Sequence, residues 1–131
     1  MLRVLEKFNK ISWIITIIFG ITIFYVSSIQ FKTYSKTTSD LSIIYHIGIF
    51  LVFSFFLLVS STKRKRKDLL FLAVSIAILY GILDEIHQLY VPGRSFTLED
   101  IFLDSLGVLI ALALYSFLIY KKEKTSNILK T

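Results

Sequence analysis

The chain has 131 residues, of which 55% are hydrophobic, with a net charge of +6 and a mean hydropathy of +0.72. A soluble domain of this length could not bury so much apolar surface, so the composition predicts one integral membrane domain over residues 1–131. The sequence contains no cysteine, which excludes disulfides, thiolate metal ligands and cysteine catalysis.

The first two apolar segments are predicted to cross the membrane at residues 11–29 and 41–61. A hydrocarbon core of about 30 Å needs about 20 apolar residues in a helix, and both segments meet that length. Residues 11–29 carry no charge and are not followed by a small-residue cleavage motif, which indicates a retained helix rather than a signal peptide. Residues 41–61 are apolar or carry a hydroxyl group, except for His46, which is the one ionisable base among them.

Two further spans are predicted at residues 69–91 and 101–120. The third span has Asp84 and Glu85 in its far end, and the fourth has Asp104 near its start. All four spans are expected to be helices, because an isolated strand would leave its backbone polar groups unpaired in lipid. The sequence therefore predicts an all-α integral membrane four-helix bundle with short loops.

The distribution of lysine and arginine predicts that both termini face the cytoplasm. Twelve of the fifteen basic residues lie in the N-terminal tail, the second loop and the C-terminal tail, and five of these are the run 63–67. The other two loops hold Lys32, Lys36 and Arg94. Because basic residues concentrate on the cytoplasmic side, this asymmetry sets the orientation, and the positive charge does not indicate nucleic-acid binding.

In this topology the acidic, basic and amide side chains within the spans gather near the outer surface. Five of the nine acids lie between residues 84 and 104. Ionisable groups in or beside a bilayer are costly, so they are functional candidates by default. The candidate ligand-binding residues are His46, Asp84, Glu85, Gln88, Arg94, Asp100 and Asp104.

Structural roles could account for several of these residues. Asp100 suits the positive N-terminal end of the fourth helix, which Ser95 or Thr97 could cap. His46 could be a hydrogen-bonded core histidine. Arg94 could anchor the interface, bind a phosphate through its planar fork, or pair with an aspartate. A buried Arg–Asp pair that only holds two helices together is the main structural alternative for the whole cluster.

Small residues on the fourth span predict a close helix contact. Asp100, Asp104, Gly107 and Ala111 recur at helical spacing, so they share one face. Small residues allow a neighbouring helix to approach closely. We expect this face to pack with its aspartates opposing the third helix.

Three motifs in the second half of the chain resemble the signature of VanZ-like membrane proteins. They are DE-x-x-Q from Asp84, P-G-R-S from Pro92 and E-D-x-x-x-D-x-x-G from Glu99. The segment from His46 to Phe50 is similar to the family's H-x-x-x-aromatic motif. The chain departs from the pattern at Asp104, where the family usually has Asn, at Ala111, where it has Gly, and in lacking a lysine ahead of the histidine.

This resemblance implies a polytopic protein of the bacterial cell envelope, associated with teicoplanin-type glycopeptide resistance. The leading interpretation is a protein of the cytoplasmic membrane whose outer polar pocket binds a lipid-linked envelope precursor or the antibiotic. No cofactor and no metal ligand is assigned, and the oligomeric state is left open. The alternative is an intramembrane enzyme acting on a lipid head group, with Asp84, Glu85 and His46 as acid and base or as ligands of a hard divalent ion. An ion-coupled transporter is the least favoured interpretation.

Overall fold

A computed structural model describes residues 9–30, 40–62 and 68–128, and four α-helices account for most of them. Each is long and apolar enough to span a membrane, and the described residues contain no strand. The prediction of an all-α four-span protein is confirmed. The helices are α1 (Asn9–Ser27), α2 (Asp40–Thr62), α3 (Asp68–Gln88) and α4 (Leu98–Ile128).

The observed helix ends differ from the predicted ends mainly in the second half of the chain. Helix α3 ends at Gln88 rather than near residue 91, because Leu89, Tyr90 and Val91 each donate to the carbonyl three residues back and so form tight turns. Gly93 then adopts a positive φ of 84°, which reverses the chain direction. Helix α4 continues eight residues past the apolar run, since its polar C-terminal segment remains helical.

Helix α2 lies at the centre of the bundle and contacts the other three helices. Its buried aromatic and aliphatic side chains form the largest share of the core, to which α1 contributes Ile23 and α4 contributes Val108 and Tyr115. The outward face of α1 is apolar and exposed, as at Ile17 and Ile21. Lipid would cover this face in a membrane, because an apolar helix face without a protein partner is stable only there.

Small residues set the closest helix contacts. On α3, the buried face runs through Ala73, Ala77 and Gly81. On α4, a Cβ atom at Gly107 would lie 2.5 Å from the carbonyl oxygen of Ile47, so the α4 and α2 backbones are in direct contact there. The small-residue face of α4 therefore packs on α2 at Gly107, while Asp104 on the same face lies against Gly81 of α3, as expected for an aspartate that opposes the third helix.

Two polar contacts between helices are made by tyrosine hydroxyl groups away from the loops. The Tyr80 hydroxyl on α3 donates to the carbonyl of Gly20 on α1 at 2.7 Å. At the other end of the bundle, Thr62 of α2 and Tyr115 of α4 share a hydrogen bond between their hydroxyl groups. Each contact satisfies a polar group that lipid could not satisfy, and so fixes which helix faces meet.

The orientation of the bundle stays a prediction. The basic run 63–67, Lys32, Lys36 and the N-terminal tail up to residue 8 lie outside the described residues. The single-domain assignment of residues 1–131 likewise stays a prediction.

Replacement of Gly107 by alanine is expected to lower the free energy of unfolding by about 1–3 kcal/mol, because the added methyl group meets backbone that cannot move aside. Gly48→Ala is the matched control: it is also a mid-helix glycine, but nothing lies within 4 Å of its Cβ position. The control should leave stability unchanged or raise it by up to about 1 kcal/mol. Unfolding in mixed micelles measures both, and equal effects would contradict this packing.

Candidate functional site

Five buried polar side chains from α2, α3 and α4 meet at one end of the bundle, where α1 and α3 end and α2 and α4 begin. We call this the polar end. Five side chains gather there with at most 7% of their surface exposed, although four of them carry an acid or base: His46, Asp84, Glu85, Gln88 and Asp104. Burial without compensation would be costly for each, so their partners decide what the site can do.

Helix α3 contributes two acids that are joined by one amide. Asp84, Glu85 and Gln88 lie on the buried face of α3, in continuation of its small-residue stripe. The side-chain nitrogen of Gln88 donates to Asp84 Oδ2 and to Glu85 Oε1, both at 3.0 Å. Gln88 therefore holds two neighbouring carboxylates in fixed positions, as their spacing of three and four residues allows.

Glu85 also connects α3 to the start of α4. Its second oxygen, Oε2, accepts a hydrogen bond from the backbone nitrogen of Thr97 at 3.1 Å. The Thr97 hydroxyl in turn accepts from the backbone nitrogen of Asp100 at 3.1 Å, so Thr97 is the N-terminal cap of α4. The Glu85 side chain is fully buried, with both oxygens hydrogen-bonded.

His46 joins α2 to the first two turns of α4. Its Nδ1 lies 2.9 Å from Asp104 Oδ1, and its Nε2 lies 3.7 Å from Asp100 Oδ1. With Asp104 ionised, Nδ1 carries the proton and donates it to the carboxylate. Asp104 also touches α3, since its Cβ lies 3.3 Å from the Cβ position of Gly81. Asp104 therefore sits where three helices meet.

Arg94 of the loop between α3 and α4, and His87 near the end of α3, both contact the end of α1. Arg94 donates from a terminal guanidinium nitrogen to the carbonyl of Val26 at 3.0 Å. The His87 ring stacks on Phe24 at 4.4 Å between ring centres, and its Nε2 hydrogen-bonds the Ser28 hydroxyl at 3.0 Å. The pairing of Arg94 with a particular aspartate stays a prediction, whereas its contact with α1 was not anticipated.

An apolar cavity of about 380 Å³ lies beside the polar end, between the starts of α2 and α4. Ile43 of α2 forms one wall, one helical turn before His46. The opposite wall belongs to α4, where it includes Phe102 and Leu103, next to Asp104 in the chain. Leu98 and Glu99 complete the lining. The site therefore combines a buried polar cluster with an adjoining apolar groove.

Three of the predicted residues approach closely enough to surround an ion. One nitrogen of His46, one oxygen of Glu85 and one oxygen of Asp104 lie within 4.8 Å of one another. All three side chains are buried, and they come from α2, α3 and α4. Such a set of nitrogen and oxygen donors can bind a divalent metal, or can serve as acid and base toward a substrate.

Sequence reasoning placed all seven candidate residues at one end of the bundle, and the structure does the same. It joins His46 with Asp104, and Gln88 with Asp84 and Glu85. Two contributors were missed: the Thr97 backbone nitrogen that binds Glu85, and the Ser28–His87 contact with α1. Backbone donors carry no residue-type signal, and a contact between α1 and α3 depends on helix rotation, which hydropathy does not report.

Comparison with known families gives one match over nearly the whole chain. The family model described as VanZ/LLP1 matches residues 3–120. The matched range contains every residue of the polar end and all four candidate membrane spans except the last residue of the fourth. Neither the search of curated proteins nor the search of solved structures gives a match.

Thr97→Ala is expected to destabilise the first turn of α4 by about 1 kcal/mol, because the cap of the Asp100 nitrogen is lost. Thr97→Ser keeps the hydroxyl and is the matched control. Amide hydrogen exchange at residues 98–101 should be faster in the alanine variant and unchanged in the serine variant. Equal exchange in the two variants would rule out Thr97 as the cap.

Proposed function

This chain belongs to the VanZ/LLP1 family of membrane proteins, and we propose that its polar end binds a lipid-linked precursor of the cell envelope. The site would face the extracellular side of the bacterial cytoplasmic membrane. Through that ligand the protein would contribute to teicoplanin-type antibiotic resistance, to which the family is linked.

The observation that carries this proposal is the adjacency of the buried polar cluster and the apolar cavity. A membrane lipid presents a polar head group joined to hydrocarbon chains, so a matching site needs both surfaces side by side. Ile43 and His46 lie on one face of α2, and Leu103 and Asp104 are consecutive on α4. The cavity volume of about 380 Å³ suits part of an acyl or polyprenyl chain rather than a whole lipid.

The charges at the polar end favour a head group with both cationic and anionic parts. The acids of α3 and α4 attract an amine, as in an amino sugar or an amino-acid side chain of a wall precursor. Arg94, in the adjoining loop, attracts a phosphate or carboxylate through its planar guanidinium. A glycopeptide antibiotic that carries an amine and an apolar chain has the same chemistry, so direct binding of the drug is the competing form of the proposal.

Binding of the precursor by this protein would explain a link with glycopeptide resistance. A glycopeptide acts on the precursor only while its target group is accessible. A protein that binds the head group on the same side of the membrane lowers the fraction of free target. The effect depends on affinity and on protein level, and it needs no chemical change of the ligand.

The second candidate function is an intramembrane enzyme that acts on a lipid head group. The observation in its favour is the short contact between His46 Nδ1 and Asp104 Oδ1, with Asp100 near the other ring nitrogen. A carboxylate that orients a histidine is a common arrangement for general acid–base catalysis. Turnover of an envelope lipid by the purified protein, abolished in His46→Gln, would favour this function over simple binding.

Loss of one charged group at the polar end is expected to weaken ligand binding. Asp84→Asn and Arg94→Gln each remove one charge and keep a polar side chain. A charge-assisted hydrogen bond contributes about 1.5–3 kcal/mol, so binding of a lipid-linked precursor in nanodiscs should weaken about tenfold or more. Teicoplanin tolerance of cells producing each variant should fall in parallel.

Ser95→Ala is the control for both measurements, because Ser95 is an exposed neighbour of Arg94 in the same loop. Protein levels in the membrane are matched by immunoblot. Unchanged binding and tolerance in Asp84→Asn and Arg94→Gln would overturn the proposed site. Unchanged precursor binding together with altered binding of the free drug would favour the antibiotic as ligand.

The proposed orientation can be tested because the chain has no cysteine of its own. Ser95→Cys lies in the loop between α3 and α4, and Thr125→Cys lies near the end of α4, both at exposed positions. A membrane-impermeant maleimide should label the first variant in intact cells and the second only after permeabilisation. The reverse pattern would place the polar end in the cytoplasm.

A further inference from the structure

The polar end contains more acids than the bases around it can neutralise. Four carboxylates meet there, from Asp84, Glu85, Asp100 and Asp104, and His46 is the base that lies close to two of them. Arg94 lies in the adjoining loop, where it donates to the carbonyl of Val26. Even with both bases charged, two negative charges remain in excess when all four acids are ionised. Unpaired buried charge is costly, so a further cation or a proton at this position would stabilise the fold.

The geometry of three of these groups suits a metal ion. One ligand atom each from His46, Glu85 and Asp104 lies within 4.8 Å of the other two. Two ligands of a tetrahedral ion with bonds of about 2.1 Å are about 3.4 Å apart, so side-chain rotations that shift these atoms by about 1 Å would bring all three into one coordination shell. The three groups come from three different helices, which fixes their relative positions.

A second, independent observation also favours a cation at this position. Asp84 Oδ1 and Asp104 Oδ2 are buried and lack a hydrogen-bond partner among the residues that the structure describes. Both side chains are more than nine-tenths buried. Gln88 binds Asp84 and Glu85 through the same nitrogen, which keeps the Asp84 carboxylate beside the ligand set. Buried carboxylate oxygens normally have a partner, and a cation would supply one to each.

We propose that His46, Glu85 and Asp104 bind one divalent cation at the polar end. A histidine with two carboxylates is a mixed nitrogen and oxygen donor set, which suits Zn²⁺ or Mn²⁺ better than Ca²⁺ or Mg²⁺. Gln88 and the Thr97 backbone nitrogen, which hold the Glu85 carboxylate, orient that ligand from outside the coordination shell. Three protein ligands leave at least one coordination position open. The sequence suggested His46, Asp84 and Glu85 as possible ligands of a hard divalent ion in the alternative interpretation, whereas the structure brings Asp104 together with His46 and Glu85.

A cation at this position deepens the proposed function, and this step rests on that function being correct. Four carboxylates repel the phosphate of a lipid-linked precursor, whereas a divalent cation with an open position attracts it. The metal would then contact the phosphate directly. Asp104, as one of the metal ligands, would in this way help the precursor to bind.

Metal binding is tested on the full chain purified in detergent, without any lipid ligand. Wild-type protein is stripped with a chelator and titrated with Zn²⁺ or Mn²⁺ by calorimetry, and the retained metal is measured by mass spectrometry after dialysis. We expect about one ion per chain and a metal-dependent rise in the unfolding temperature, because an ion that binds only the folded protein stabilises it.

Two variants locate the ion. Asp104→Asn and Glu85→Gln keep the side-chain shape and each remove one charged ligand, so affinity for the metal should fall at least about tenfold. Asp68→Asn is the matched control, an equal charge change at the opposite end of α3, and should bind metal as the wild type does. Circular dichroism and gel filtration confirm folding.

Several outcomes would overturn the proposal. One is that the wild-type chain binds neither Zn²⁺ nor Mn²⁺ at micromolar concentration. Another is that the Asp104→Asn and Glu85→Gln variants fold and bind the metal ion as tightly as the wild type does. A chelator-treated wild type that keeps its unfolding temperature on metal addition would indicate that protonation neutralises the acids instead. Because the metal is measured without lipid, a failure of lipid binding alone would overturn the proposed function and leave the metal site in place.

Discussion

The contact between His46 and Asp104 is the interaction on which the polar end depends. It joins the central helix α2 to α4 and places an acid against the small residue Gly81 of α3. In a low-dielectric environment neither group is stable without a partner, so the pair fixes the rotation of two helices. Glu85 and Gln88 of α3 lie at the same end of the bundle, where Glu85 approaches the pair to within 4.8 Å.

Close backbone packing makes this contact possible. Gly107 lies one turn after Asp104 on the face that meets Ile47, which is next to His46 on α2. A larger residue would separate α2 and α4 at the level of the pair. The packing of the helices and the geometry of the polar end therefore depend on each other. Because Gly107 has no side chain, α2 and α4 lie close enough for His46 to contact Asp104.

The sequence predicted the depth of each residue in the membrane but not its partner. Four apolar runs of sufficient length fixed the spans, and alternating direction brought His46, Glu85 and Asp104 to one end. Hydropathy carries no information on helix rotation, so it could not choose between Arg94 and His46 as the partner of Asp104, or between α2 and α3 as the neighbour of Gly107. Those choices depend on three-dimensional packing. The Thr97 cap was foreseen as one of two options, since hydroxyl residues ahead of an acidic first turn are typical of helix starts.

The position of the apolar cavity determines how a ligand can arrive. Arg94 joins the loop between α3 and α4 to α1, and His87 joins the end of α3 to the residue after α1, whereas the cavity lies on the flank between α2 and α4, at Ile43 and Phe102. Exposed apolar side chains such as Ile44 and Leu98 border that flank. The lipid proposed as ligand would therefore enter sideways, without leaving its leaflet. Its capture would be governed by concentration and diffusion in two dimensions, and a water-soluble competitor would have to partition into the membrane first.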